Sequence, residues 1–345
     1  MKLLKKKDNK KTEQEKVEER REEVLATGRK FKYPLQWTRY RIVVNTVLIT
    51  FIILALVLVG GWLALYRLGM TDDILFRATQ VFPVPVAVVD SEKVRFSDYL
   101  MLYRSSIMSI ERQTSNQTDQ DSLDQLRNDY KRAALTEAEE YTYAIGLAKE
   151  LDITGSEEEI DNEFSRHLKI GGIDRSEESF LKVINDNFGL TKSEYRRMLY
   201  LNIIKAKVSI AVDEAANQTA ERVEEILFKN DNNYNAVVEQ LNGEIIYEET
   251  GGLVDSKNID GGRASEAMKL EPGQSSGKFI SMNGDGFYFV KLIKKTDTEV
   301  NFVSIKIPFT EFDNRFATLQ TEDKITEYIS LEDPNLSTEQ IDQPE

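Results

Sequence analysis

From Ile42 to Tyr66 the chain runs for 25 residues without a formal charge, IVVNTVLITFIILALVLVGGWLALY. As a helix rising about 1.5 Å per residue, this run reaches roughly 37 Å, enough to cross a hydrocarbon core with room to tilt. Trp37 and Tyr40 lie at one end, Trp62 and Tyr66 at the other, where interfacial aromatic rings are found. So long an uncharged run is foreign to soluble helices. The 41 residues ahead of it exceed an ordinary signal-peptide n-region, and Gly60-Gly61 leads into Trp62 and more apolar residues instead of a small-residue cleavage site. The expectation is an uncleaved anchor.

Charge sets its direction. Residues 1–41 hold 14 Lys and Arg against 7 Asp and Glu, a net +7, while the whole chain is −14, which leaves −21 on residues 42–345. Arg29, Lys30, Lys32, Arg39 and Arg41 crowd the near side, and on the far side Arg67 is soon followed by Asp72 and Asp73. The Lys/Arg bias puts residues 1–41 in the cytoplasm and 67–345 outside. A main body this acidic argues against nucleic acid as a partner, because phosphate neutralisation needs a basic surface. The chain has no cysteine and one histidine, His167. Disulfides, thiolate metal sites and cysteine nucleophiles are excluded, and a His-rich metal centre is not expected. No cofactor is expected. His167 follows Phe164 by three residues and reads as a packing residue on its helix.

Beyond the membrane run, residues 67–86 read as a connector ending in VFPVPVAVV, whose prolines favour extended backbone. A strand continues to a turn at Asp90-Ser91-Glu92, and Ser97 is placed to cap the next helix, which carries Leu100, Tyr103, Ile107 and Ile110 at helical spacing. A long helix is expected over 122–151. Three shorter helices follow, announced by Ser156…Glu159, by the looser Asp174…Glu177, and by Thr191…Glu194; Gly171-Gly172 and Gly189 are expected to end the first two. Residues 214–297 change character: helical segments, a strand GEIIYEE, a Gly251-Gly252 turn, a short helix, then a hairpin about Asn283-Gly284-Asp285-Gly286, with a strand EVNFVSIKIPF and a helix TEFDNRFATLQ after it. The acidic stretch 332–345 reads as disordered. The NGDG turn lacks the alternating acids of a calcium loop. Asn116 and Asn217 fit the short glycosylation pattern, which recurs by chance.

The order VAVVDSEKVRFSDYL, YAIGLAKELDITGSEEEIDNEF and GLTKSEYRRMLYLNIIKAKV resembles the N-terminal chaperone module of the SurA/PrsA class of extracytoplasmic foldases, over about residues 86–212. The class's usual strand glycine is replaced by the run Asp90-Ser91-Glu92. The later part resembles a parvulin-type prolyl isomerase, through Gly251, Gly252, Leu253, Leu270, Gly273, Ser276, Phe279 and the closing string Gly286-Phe287-Tyr288-Phe289-Val290-Lys291. Tyr288 stands where that family has a histidine. The other family histidine sits on a first strand, for which KVSIAV (207–212) or, out of order, NFVSIKI (301–307) are the candidates; neither contains one.

The expected fold class is α+β: a cytoplasmic tail 1–41, a transmembrane helix 42–66, a connector 67–86, a mostly helical SurA-like module 87–213, and a degenerate parvulin-like domain 214–331. Candidate peptide-groove residues are Phe279, Met282, Phe287, Tyr288 and Phe289, with the rival reading that alternate members are sheet core. The resemblance implies a membrane-anchored chaperone whose partners are unfolded or proline-containing polypeptides. An active prolyl isomerase and a non-enzymatic cell-envelope scaffold are the alternatives. Oligomeric state is open.

Overall fold

The computed structural model describes residues 12–114, 120–169 and 172–331. Gly171, Asn116 and the acidic stretch 332–345 lie outside the described residues. The chain divides into two compact units, Met1–Ala64 and Leu65–Glu345.

One helix, α1 (Glu13–Tyr66), makes up the described part of the first unit and lends its last two residues to the second. Its stretch Tyr40–Tyr66 is long and apolar enough to cross a membrane, alone in this among the described residues. Ile42, Phe51, Leu56 and Leu58 are all exposed, so the helix is apolar all round, as a span is. The two threonines of the stretch Tyr40–Tyr66 return their hydroxyls to the carbonyls four residues back, Thr46 to Ile42 at 2.9 Å and Thr50 to Thr46 at 2.8 Å, which leaves neither donor idle in an apolar setting.

The second unit begins with that helix's final turn. Leu65 is buried in the main core, the Tyr66 hydroxyl donates to the Pro85 carbonyl at 2.6 Å, and its ring meets Phe96 edge-on at 5.6 Å. The expected connector is corrected here, because it contains α2 (Asp73–Val81), whose Phe76 and Thr79 are buried. Strands β1 (Pro85–Val89) and β2 (Glu92–Arg95) form a hairpin with Val89 opposite Glu92. Asp90 does the work of a turn glycine at φ +54°, a conformation that Asp tolerates better than most side chains. Helix α3 (Phe96–Thr114) begins ahead of Ser97, so Ser97 is not its cap; its buried hydroxyl has no hydrogen-bond partner.

Helices α4 (Gln120–Glu150), α5 (Glu157–Leu168), α6 (Glu177–Phe188) and α7 (Lys192–Val212) complete the helical module around Leu100, Leu135, Leu199 and Leu201. The capping boxes Ser156–Glu159 and Thr191–Glu194 both form. The second box is corrected by two positions: Ser176, not Asp174, caps α6, accepting from the Ser179 amide. Gly189 ends α6 at φ +66°, whereas α5 ends on Lys169, before the expected glycines.

A sheet lobe follows: α8 (Glu214–Lys229), α9 (Tyr234–Gln240), β3 (Ile246–Glu249), β4 (Val254–Asp255), α10 (Arg263–Met268), β5 (Phe279–Ile280), β6 (Gly286–Lys295) and β7 (Glu299–Pro308). The sheet runs β3-β7-β6-β5, antiparallel, with β4 also on β7. Alternation sorts its two faces. Phe287, Phe289 and Ile305 pack with Val223 and Leu227 of α8, while Val290, Leu292 and Phe302 pack with Ala264 and Ala267 of α10. Gly286 has no substitute at the start of β6, because a Cβ there would stand 2.4 Å from the Ile307 carbonyl oxygen of the paired strand.

The chain then leaves the lobe. Helix α11 (Glu311–Thr321) lays Phe312 against Ala144 and Val208 of the helical module, and β8 (Ile325–Glu327) pairs with β1 to give the sheet β2-β1-β8. The expected stretch 214–331 is therefore not one continuous piece. The lobe is an insertion between α7 and α11, and the last helix and strand belong with the first.

Candidate functional site

A cleft of about 960 Å³ separates the helical module from the lobe. One wall is α7, through Leu199, Asn202 and Ile203; the other is the loop before α10 and the segment from β5 to the β6 turn, through Ile259, Ile280 and Met282. Ile259, Ile280 and Met282 are exposed and form an apolar lip. A second concavity of about 610 Å³ lies within the helical module, where Leu102 of α3, Phe180, Ile184 and Phe188 of α6, and Met198 of α7 converge. Tyr130 and Glu137 of α4 and His167 of α5 complete the lining, so side chains of five helices build a mainly apolar groove.

The five candidate aromatic and Met positions separate cleanly. Phe287 and Phe289 are core beneath the sheet, packed against α8, and are not groove residues. Met282 lines the cleft, half exposed. Tyr288 and Phe279 share the opposite sheet face, stacked with ring centres 6.0 Å apart, and Tyr288 is buried.

Charged groups close around Tyr288. Register places Lys306 of β7 directly opposite it. The Lys306 ammonium lies 5.7 Å and the Arg263 guanidinium 5.3 Å from its ring centre. Its hydroxyl donates to Asp285 Oδ2 at 3.3 Å, and Lys306 pairs with the same carboxylate. Burial pushes the Asp285 carboxyl up, but hydrogen bonds from Lys306 and Ser281 outweigh it and hold it low. Burial pushes Lys306 down, and Asp285 more than reverses this. Tyr288 is raised by burial and then by the Asp285 charge. The directions agree: at neutral pH the set is a neutral phenol beside a fixed ion pair, with Arg263 tied to Glu248. It holds nothing poised to exchange a proton near pH 7.

His167 sits between the two concavities and borders both. Its Nδ1 is hydrogen-bonded to the Tyr195 hydroxyl, and its Nε2 lies 3.1 Å from Glu163, which also pairs with Arg166. Burial would lift the Glu163 carboxyl, yet His167 and Arg166 together lower it to about 2. The arrangement is a satisfied chain of side chains joining α5 to α7. Among the described residues no group of three or more His, Cys, Asp or Glu is placed to hold a metal ion. The apolar groove escaped sequence reasoning, although α6 carries its signal: Phe180, Leu181, Val183, Ile184 and Phe188 cover more of the helix than one buried stripe needs.

A family model for the SurA-like N-terminal domain matches residues 35–209, which takes in the apolar run and all the helices through most of α7. No curated protein and no solved structure matches the chain. The match covers just over half of the sequence, and the chain belongs to the family of the SurA-like N-terminal domain.

Proposed function

We propose that this protein is a membrane-anchored, extracytoplasmic chaperone that holds unfolded polypeptide segments in the apolar groove between α3, α6 and α7. The observation that carries the reading is that groove, built inside the domain the family model matches and lined by Leu102, Phe180, Ile184, Phe188 and Met198. An open concavity whose exposed surface is mainly apolar takes side chains of many sequences without selecting one. The cleft beside it, with Ile259, Ile280 and Met282 at its lip, offers a second place for an extended segment. The acidic body, −21 over residues 42–345, favours neutral or basic clients and disfavours nucleic acid.

The lobe reads as a degenerate parvulin-like domain. The strand beside β6 is β7, the out-of-order candidate, and the positions where two histidines would be sought hold Tyr288 and Lys306. With Arg263 and Lys306 over its ring and Phe279 stacked on it, Tyr288 offers no open apolar seat for proline. This supports a binding or structural role over catalysis. The test is the full chain in lipid nanodiscs carrying a photo-crosslinker at Phe188 or at Met282, presented with an unfolded client. Crosslinking at Phe188 together with suppressed client aggregation is expected. Stable capture of one folded partner without protection of unfolded clients would replace this reading with the scaffold, and catalysed prolyl exchange would replace it with the isomerase.

A further inference from the structure

Helix α2 is apolar on two opposite sides. Phe76 and Thr79 face the core. At about 100° per residue, Ile74, Ala78 and Val81 line the other side. Ile74 is 82% exposed and Val81 72%, and Phe82 just beyond is 70% exposed. Leu68 and Met70, on the approach to the helix, are exposed as well. Five large exposed apolar residues fall within residues 68–82, against twelve among the described residues from 83 to 331, so this is a concentrated patch and not the usual scatter.

The chain's own path says what covers it. Leu65 and Tyr66, the last residues of the apolar helix, are built into the core beside β1 and Phe96, so the body starts where the span ends. Six residues separate Tyr66 from Asp73, so the two lie at most about 25 Å apart with the chain fully extended. We propose that the outer face of α2, with Leu68, Met70 and Phe82, lies in the headgroup layer of the bilayer crossed by Tyr40–Tyr66. The inference rests on reading that helix as a retained anchor. Asp72 and Asp73 open the helix, so the attraction is apolar burial and not cation pairing with anionic lipid. The contact therefore needs no anionic lipid and survives high salt. It would hold the groove and cleft at a set height above the membrane instead of letting the body swing.

The absence of native cysteine permits single labels. The full chain is reconstituted in phosphatidylcholine nanodiscs with a nitroxide at Ile74→Cys, Val81→Cys, Leu58→Cys or Phe228→Cys, and collision with oxygen is compared with collision with a water-soluble nickel chelate. Oxygen preference at 74 and 81, shallower than at 58, with an aqueous signal at 228, is the expected result, unchanged at high salt. Labels at 74 and 81 as aqueous as the one at 228, while 58 reads as lipid, would overturn the inference and leave the anchor standing. An aqueous label at 58 would overturn both. Protection from both collision partners, with dipolar broadening between labels, would mean that a second copy covers the face, and would also overturn it.

Discussion

Asp213 accepts the backbone N–H of Thr310 at 2.7 Å across 97 positions of sequence. The same oxygen accepts from Glu311 at 3.1 Å, and the other caps α8 through the Ala216 amide at 2.9 Å. One carboxylate, 2% exposed, thus pins both places where the chain passes between module and lobe.

Removing that carboxylate strands three backbone donors. Charge-assisted hydrogen bonds contribute about 1.5–3 kcal/mol each, less what water recovers at a relaxed site. Asp213→Ala is expected to destabilise the protein by about 3 kcal/mol, and Asp213→Asn, which keeps one acceptor, by less. Urea unfolding of the body measures it. A midpoint unchanged in Asp213→Ala would refute the pinning role.

Glu139 gives the body a pH dependence. It is buried on α4 with Oε1 unpartnered, and burial, then the Glu327 charge, push its carboxyl up to about 8 against the pull of Arg132. Its folded value thus lies above the ordinary 4.5. A group raised on folding contributes stability that is complete below its unfolded value and lost as pH rises through its folded value. This contribution therefore declines from about pH 4.5 to about pH 8. Glu139→Gln should flatten the decline, leaving a remainder from Glu137, which burial also raises. The quantity to measure is the difference in stability between the two proteins across that range, because low carboxyls such as Glu163 act in the opposite sense at acid pH.

Gly286→Ala tests the approach of β6 to β7. The added Cβ meets backbone, the Ile307 oxygen at 2.4 Å, and cannot be accommodated by turning a side chain. The strands must part where the longest pairing in the lobe begins. A loss of about 2 kcal/mol or more is expected, read as a lowered thermal midpoint. A neutral substitution would mean that the strand end yields freely.

Met282 and Phe289 should respond oppositely although both were candidates for one groove. Met282 is exposed at the cleft lip and Phe289 is 1% exposed beneath the sheet. Phe289→Ala is expected to cost about 3–5 kcal/mol of stability. Met282→Ser should leave stability within about 0.5 kcal/mol while weakening client crosslinking in the cleft. Equal destabilisation by the two would erase the distinction between core and lip.

What could be read in the sequence was local. The boxes Ser156–Glu159 and Thr191–Glu194 form because every partner lies within three residues. The strand alternation around Tyr288 was legible for the same reason, and it left open which of Phe287, Phe289 and Tyr288 faced the core. That choice depended on α8 and α10, which supply the two covering surfaces. The charges over Tyr288 come from Arg263 and Lys306 on other elements, so position 288 alone could not reveal them. Helix α2 was hidden by its brevity and by the prolines after it. Strand β8 was hidden because three residues carry too little pattern, and its partner β1 lies far upstream.

That last pairing governs how the protein is made. Val88 meets Thr326, 238 positions further along the chain, so everything between them must emerge before the outer edge of the hairpin is filled. During synthesis the lobe, whose ends meet at Asp213 and Thr310, can close on its own while the first-made module waits unfinished. For that interval β1 presents an open strand edge and α4 and α7 lack Phe312 between them. A chain truncated between α7 and β8 is therefore expected to leave a module that is nearly complete in sequence but unsealed. Arrival of β8 is the step that fills the open edge of β1 and seals the module.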